Sequence, residues 1–332
     1  MIARHPVLGL LSALALLCGA FLCSLMLGRT SISWEVLRAS FLHYDASVVE
    51  HIIIHTERLS RALIATATGA ALAVAGALMQ ALTRNPLASP GVFGINSGAI
   101  LFVVLAALLL DVHAMRPLMG FAFAGAALAA LLVYGLGSLG RDGLTPVKLV
   151  MAGAAITALC ASFTQAILVM DEAGLQDVLF WLAGSVSGRP LDNLVVLLPF
   201  LLAALAIALV MGRAINLLAT GEEIARGLGQ NTLLVKAVLG VLIVVLAGGA
   251  VAVVGAVGFV GLVVPHLARA LTGNDYRWLV PYAAVLGAAL LLLADVAARL
   301  VLMPQEVPIG VMTALIGVPF FVYYARKGVV WR

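Results

Sequence analysis

The sequence predicts an all-α polytopic membrane protein of about ten transmembrane helices, arranged as two inverted pseudo-repeats. Three observations carry that prediction. Hydrophobic residues make up 64% of the 332 and charged residues only 10%, far from the balance of a water-soluble domain. Nine apolar runs are long enough to span a bilayer, near 6–28, 60–82, 93–111, 115–137, 147–170, 192–212, 233–257, 278–302 and 306–325. The 19 Lys and Arg lie scattered at the ends of those runs, which is how topology signals are placed and not how a nucleic-acid surface is built.

The first run exceeds 20 residues and lacks a small-x-small cleavage site before Arg29, so it reads as a transmembrane helix and not a signal peptide. His51 and His55 ("HIIIH") precede the second run; their spacing of four suits a metal on a helix, but no third ligand is near. The second run is rich in Gly and Ala and stops at "RNPLASPGVFGINSGA" (Arg84 to Ala99). Arg84 ends that helix and Asn85 with Pro86 breaks it, while Ser89 and Pro90 read as the N-cap and first-turn proline of the third helix. Gly91, Gly94 and Gly98 would leave a smooth face for close packing.

Pro146 introduces the fifth crossing, and the seventh runs into "GAVGFVGLVVPHLARAL", whose part from Gly258 to Leu271 reads as a shorter, tenth crossing. Ten crossings with a cytoplasmic N-terminus divide the basic residues twelve inside to seven outside and keep the tail from Arg326 to Arg332 inside; nine would put that tail outside. In the ninth crossing Asp295 and Arg299, four apart on one face, predict an ion pair facing outward. Pro308 introduces the last crossing. Within one transmembrane domain (1–332), residues 57–170 and 233–326 read as two related units, separated by an odd number of crossings and by a cytoplasmic loop at 213–232.

Residues 62–83, 86–110, 149–170 and 237–265 carry no charge. An ion-coupled secondary transporter, the remote alternative, would need a mid-membrane group for its coupling ion, and an intramembrane enzyme would need a nucleophile with a base. Neither is present, so no catalytic residue and no metal site is assigned to this chain. The interior is polar only through groups such as Gln80, Asn96, Ser97, Thr157, Thr164 and Gln165. Cys18, Cys23 and Cys160 lie in apolar stretches without metal-ligand spacing.

Six segments in order, "RNPLASPGVFGINSGA", "FWLAGSVSGR" (Phe180 to Arg189), "GEEIARGLG" (Gly221 to Gly229), "GFVGLVVPHLAR" (Gly258 to Arg269), "LLADVAAR" (Leu292 to Arg299) and "VPIGVMTALIGVPFFVYY" (Val307 to Tyr324), resemble the permease subunits of bacterial importers for iron-siderophores, haem and vitamin B12. The resemblance runs from about Arg58 to the end and is strongest to ferric-siderophore permeases, including those for ferric dicitrate. It implies a type II ABC importer subunit that moves a ferric-siderophore chelate, with haem or vitamin B12 as the alternative cargo. The subunit would be multi-pass in the bacterial inner membrane with both termini cytoplasmic. It would pair with a second, identical or paralogous permease, with two ATPase subunits that hold ATP and Mg, and with an extracytoplasmic binding protein; this chain would hold no cofactor.

The resemblance also implies roles. Glu222, Glu223, Ile224, Ala225, Arg226 and Leu228 would form an amphipathic coupling helix against the ATPase, with Gly221 and Gly229 as its ends; a plain solvated loop is the alternative. Arg58, Arg61 and Arg299 would receive carboxylates of the binding protein on the outer surface, although the family more often shows Pro where this chain has Ser60. Topogenic or headgroup-anchoring arginines are the alternative there. Asn96, Ser97, Thr157, Thr164, Gln165, His266 and Thr313 are gate or pathway candidates, the pathway running between the fifth and tenth crossings of the two protomers near Leu315. Arg269 shares the His266 alternative of gate, ATPase contact or helix cap.

Overall fold

A computed structural model describes residues 6–112, 114–139, 145–170 and 181–326; Phe180 and the end of the basic tail, Lys327 to Arg332, lie outside them. Among the described residues the regular structure is all helical. Seven helices among the described residues are long and apolar enough to cross a membrane, and three more apolar helices are shorter, ten in all as expected. In order they are α1 (Pro6–Met26), the short α2 (Trp34–Leu42), α3 (Val49–Thr83), α4 (Ile95–Leu109), α5 (Met115–Ser138), α6 (Pro146–Met170) and α7 (Leu191–Val210). Two short helices follow, α8 (Gly212–Ala219) and α9 (Glu222–Gly227), then α10 (Thr232–Val254), α11 (Val260–Thr272), α12 (Tyr276–Leu300) and α13 (Ile309–Arg326).

The middle of the bundle is α3. Every residue from Thr68 to Thr83 is buried, because a helix of Gly and Ala lets neighbours close in from all sides. Lipid is as apolar as Leu, so packing contact and not hydrophobic transfer selects such a helix. A Cβ on Gly76 would lie 1.9 Å from the Gly261 carbonyl oxygen of α11, and one on Gly69 would lie 2.4 Å from that of Gly287 in α12. Backbones therefore touch at both crossings.

α3 begins earlier than the sequence suggested, running back to Val49 through a π-turn at Ile54–Arg58. His51 and His55 thus belong to the helix, and both are used to tie down the chain before it. The Asp45 N–H donates to His51 Nδ1 at 3.1 Å, and His55 Nε2 lies 3.0 Å from the Ser40 carbonyl of α2. No group of three potential metal ligands occurs among the described residues.

Arg84 caps α3 in the left-handed conformation. The expected helix start at Ser89 and Pro90 needs correction: Ser89 makes no side-chain cap, Pro90–Phe93 is a single 3-10 turn, and Gly94 at φ 67° resets the chain before α4 begins at Ile95. Only a residue free of Cβ crowding takes that backbone cheaply. Of the three glycines, Gly98 does provide close packing, its Cβ position lying 2.5 Å from the Gly125 carbonyl of α5, whereas Gly91 touches no neighbouring helix.

A second break, between α10 and α11, meets the segment 181–185, which in turn meets the start of α13. Ser185 N–H donates to Val254 O (2.8 Å), Ala256 N–H to Trp181 O (2.9 Å) and Gly310 N–H to Gly184 O (3.3 Å). Gly184 and Gly255 have positive φ, and a Cβ on Gly310 would strike the Ala183 carbonyl at 2.2 Å. Irregular backbone here is hydrogen-bonded inside protein and not left to lipid.

Candidate functional site

At the end of the bundle where α3 starts, three arginines meet three carboxylates, Asp295, Glu306 and, one turn before Arg61, Glu57 at 3.6 Å. Arg58, Arg61 and Arg299 are 4%, 3% and 3% exposed, so they do not lie on the surface as the resemblance implied. Each is spent inside the protein. Arg61 donates to Asp295 at 2.8 Å, to Glu306 at 2.9 Å and to the Ser187 hydroxyl at 3.3 Å. Arg299 pairs with Asp295 at 2.9 Å, which bears out the i, i+4 pair but turns it inward: Asp295 is 1% exposed. Charges so deep persist only when paired.

Arg58 and Arg299 also close the end of α1. The last carbonyls of a helix lack intrahelical donors, and here guanidinium groups supply them. Arg299 donates to Ser24 O (3.1 Å) and Leu27 O (2.9 Å), and Arg58 to Leu25 O (3.3 Å) and to Thr30 O just beyond the helix. Gly28 leaves the room, since a Cβ there would lie 2.6 Å from the Arg58 guanidinium. Besides Glu57, whose side chain is 55% exposed, the member of the cluster nearest to solvent is Glu306, with 22% of its side chain exposed. Arg61 beside it holds its carboxyl below the usual range against the opposing effect of burial.

The opposite end carries "GEEIARGLG" as the short helix α9, bounded by Gly221 at φ 131° and Gly229 at φ 83°. Glu222 accepts from Arg226 at 2.7 Å and from Lys236 of α10, and Arg226 donates back to Thr232 at 3.0 Å. The Lys236 ammonium holds the Glu222 carboxyl below the usual glutamate range. Gln230 donates to the Ala214 carbonyl at 2.9 Å, so α8 is tied to the loop that joins α9 and α10. Ala225 faces inward and is fully buried, hence it anchors α9 and cannot itself touch a partner. Glu223, Ile224, Arg226 and Leu228 are exposed, Ile224 by 56% and Leu228 by 68%. These two apolar side chains, four apart at the helix and its C-cap and outside any crossing, form a small exposed ridge.

Beside it, Asn216 of α8 grips the start of α12. Its amide donates to Asp275 at 2.7 Å and accepts from the Tyr276 N–H at 2.8 Å. Hydrogen bonds from Arg277, then Asn216, bring the Asp275 carboxyl down to about 2. Arg269 bridges Gln80 of α3 and the Tyr276 hydroxyl. His266 is buried, its Nδ1 2.9 Å from Leu262 O and its ring edge-on to Phe320 of α13 at 6.4 Å.

The remaining pathway candidates are spread out. Asn96, Ser97 and Thr157 are half-buried and Gln165 is exposed, while Thr164 and Thr313 are buried, Thr313 donating to Gly310 O within its own helix. α6 and α13 each leave apolar side chains uncovered, among them Leu159, Phe163, Leu315 and Val318. Sequence reasoning missed Lys236 and the glycine junction at 184, 255 and 310. Lys236 had a signal, a lone charge at the mouth of an apolar run.

The profile of the FecCD transport family matches residues 15–327. The chain is 53% identical to the "Probable siderophore transport system permease protein YfiZ" of Bacillus subtilis, covering 93% of this chain and 92% of that one. It is 47% identical to the Fe(3+)-citrate import system permease protein YfmD of the same organism, covering 84% and 83%. A solved structure described as an inward-facing, metal-chelate type ABC transporter superposes with a TM-score of 0.84 at 29% identity, covering 96% of this chain and 98% of that one.

Proposed function

Because the chain belongs to the FecCD transport family, and so is a multi-pass permease subunit of an ABC importer and not an enzyme, we propose that it carries a ferric-siderophore chelate into the cytoplasm. The iron-chelate cargoes named for its relatives support that class of cargo, and haem or vitamin B12 is the alternative within the same class. The reading puts the Glu222 end in the cytoplasm of a bacterium, both termini with it, and the Arg61 end outside. The excess of basic residues on the Glu222 side supports that orientation.

The exposed Ile224 and Leu228 ridge is the observation that carries the mechanism. Docked in a cleft of an ATPase that holds ATP and Mg, α9 would pass the closure of two such subunits into the bundle through the Glu222–Lys236 and Gln230–Ala214 clips. Residues 57–170 and 233–326 act as two inverted units that rock against one another where α3 of the first meets α11 and α12 of the second. The paired permease, identical or paralogous, sits across the uncovered faces of α6 and α13, and the weakly polar pathway between them binds a bulky chelate loosely. Thr157, Gln165 and Leu315 are its candidate lining, with His266 and Phe320 where α11 meets α13.

At the other end the binding protein offers carboxylates. Since Arg58, Arg61 and Arg299 are buried, docking proceeds by exchange: an incoming carboxylate takes the place of Glu306 on Arg61. The test is ATP hydrolysis in liposomes by the complete complex, with its binding protein loaded in turn with ferric citrate, other ferric siderophores, haem or cobalamin. One loaded protein is expected to stimulate turnover, and Ile224→Asp/Leu228→Asp to abolish the stimulation. Uptake driven by a proton gradient without any ATPase would overturn the reading.

A further inference from the structure

An apolar groove of about 430 Å³ runs between α5 and α10, lined by Phe93, Phe123, Ala130, Leu131, Val241 and Val245. Its wall on the α10 side is shaped by the π-turn at Val244–Gly248, a local widening that tends to mark a used surface. Groove-lining residues Leu131 and Val241 are exposed by 67% and 63%, and both helices are membrane spans, so the slot opens toward lipid. At one end stand Tyr134 and Lys236. The same two side chains line a polar cavity of about 650 Å³ together with Arg84, Arg226, Glu222 and Glu223. Three cations face two carboxylates there, an excess of one positive charge.

We infer that this pair of cavities is a binding site for one anionic phospholipid, with an acyl chain in the α5–α10 groove and the phosphodiester on Lys236, Arg84 and Arg226. The match is of shape and charge together. An apolar slot that ends at a lysine fits a chain that ends at a single negative charge, and Tyr134 stands at the level where aromatic side chains meet headgroups. Lys236 is also the partner of Glu222, so a phosphate that takes part of the Lys236 ammonium loosens α9 from α10. Lipid occupancy thereby tunes how firmly the docking ridge is held. The site stands independently of cargo and orientation, because lipid retention is read on the isolated chain without transport.

Gly240 lines the groove, and a Cβ there meets nothing within 4 Å, so Gly240→Phe fills the slot without striking a neighbouring helix. Native mass spectrometry of the full chain in detergent is expected to retain one phosphatidylglycerol in preference to phosphatidylcholine by about fivefold, the effect of one cation at a lipid surface. Gly240→Phe should lose the retained lipid, and Lys236→Gln should keep a lipid but lose the preference. A phosphatidylglycerol with a photoactivatable acyl chain, added to the unaltered chain, decides the matter should a variant not fold. Label concentrated on 123–131 and 240–245 supports the site. Label spread evenly over all exposed crossings, label blocked by a second protein chain seated in the groove, or equal retention of the two lipids overturns it.

Discussion

Besides Glu57 one turn before it, Arg61 is held by carboxylates 234 and 245 residues away in the chain, and these two long-range bonds are of different kinds. Asp295 is sealed in and serves Arg299 as well, whereas Glu306 reaches solvent. Removing one partner of a buried pair strands the other charge. Asp295→Ala should therefore lower stability by about 3–5 kcal/mol, and Glu306→Ala by clearly less, as thermal melting of the purified protein in detergent would show. Equal losses would mean that Glu306 is as structural as Asp295 and is not exchanged on docking. The sequence displayed these arginines as charges at segment ends, which is true of every topogenic residue. That they are inside follows from Asp295, Glu306 and the carbonyls of α1 converging on them, and such long-range convergence leaves no local pattern.

Single helices were legible because a crossing announces itself by the length of its apolar run, and apart from α3, which starts eleven residues early at Val49, the crossings stand within a few residues of where composition put them. Breaks were harder to read. Ser89-Pro90 has the chemistry of a helix start, yet Gly94 in the left-handed region imposes a 3-10 turn first, and nothing in the sequence separates a glycine needed for φ from one needed for contact. Gly76 is of the second kind. Gly76→Leu should prevent α3 and α11 from meeting and abolish folded yield in a detergent size-exclusion assay, while Gly120→Leu, where a Cβ touches nothing, should leave it intact. At the N-cap of α12, the lowered Asp275 carboxyl gives stability that is full above its ordinary value of 3.8 and is lost as pH falls from there toward about 2. Asp275→Asn should flatten that part of the melting-temperature profile against pH. An unchanged profile would mean that the Asn216 clip alone holds α8 to α12.

The whole molecule is a bundle around one buried helix, with α6 and α13 leaving apolar faces uncovered on either side of the glycine junction. With Cys18, Cys23 and Cys160 replaced by Ser, cysteines at Leu159 or Leu315 should cross-link two permease subunits in membranes, while one at Phe200 of α7 should not. Efficient cross-linking only through Phe200 would place the subunit contact on another face. One more consequence belongs to biosynthesis. α1 has 22% of its most apolar window buried, is tied at its start by the Tyr282 hydroxyl to Pro6 O and at its end by Arg58 and Arg299. Arg58 follows Leu25 by 33 residues, but Arg299 follows Ser24 by 275. At ribosomal speed that second clasp arrives roughly 15 to 55 s after the helix it fastens. For that interval α1 has only the Arg58 clasp and meets lipid where α12 will later pack, which accounts for a helix greasy on every side and without a single charge: it had to be a competent membrane span before most of the protein it belongs to existed.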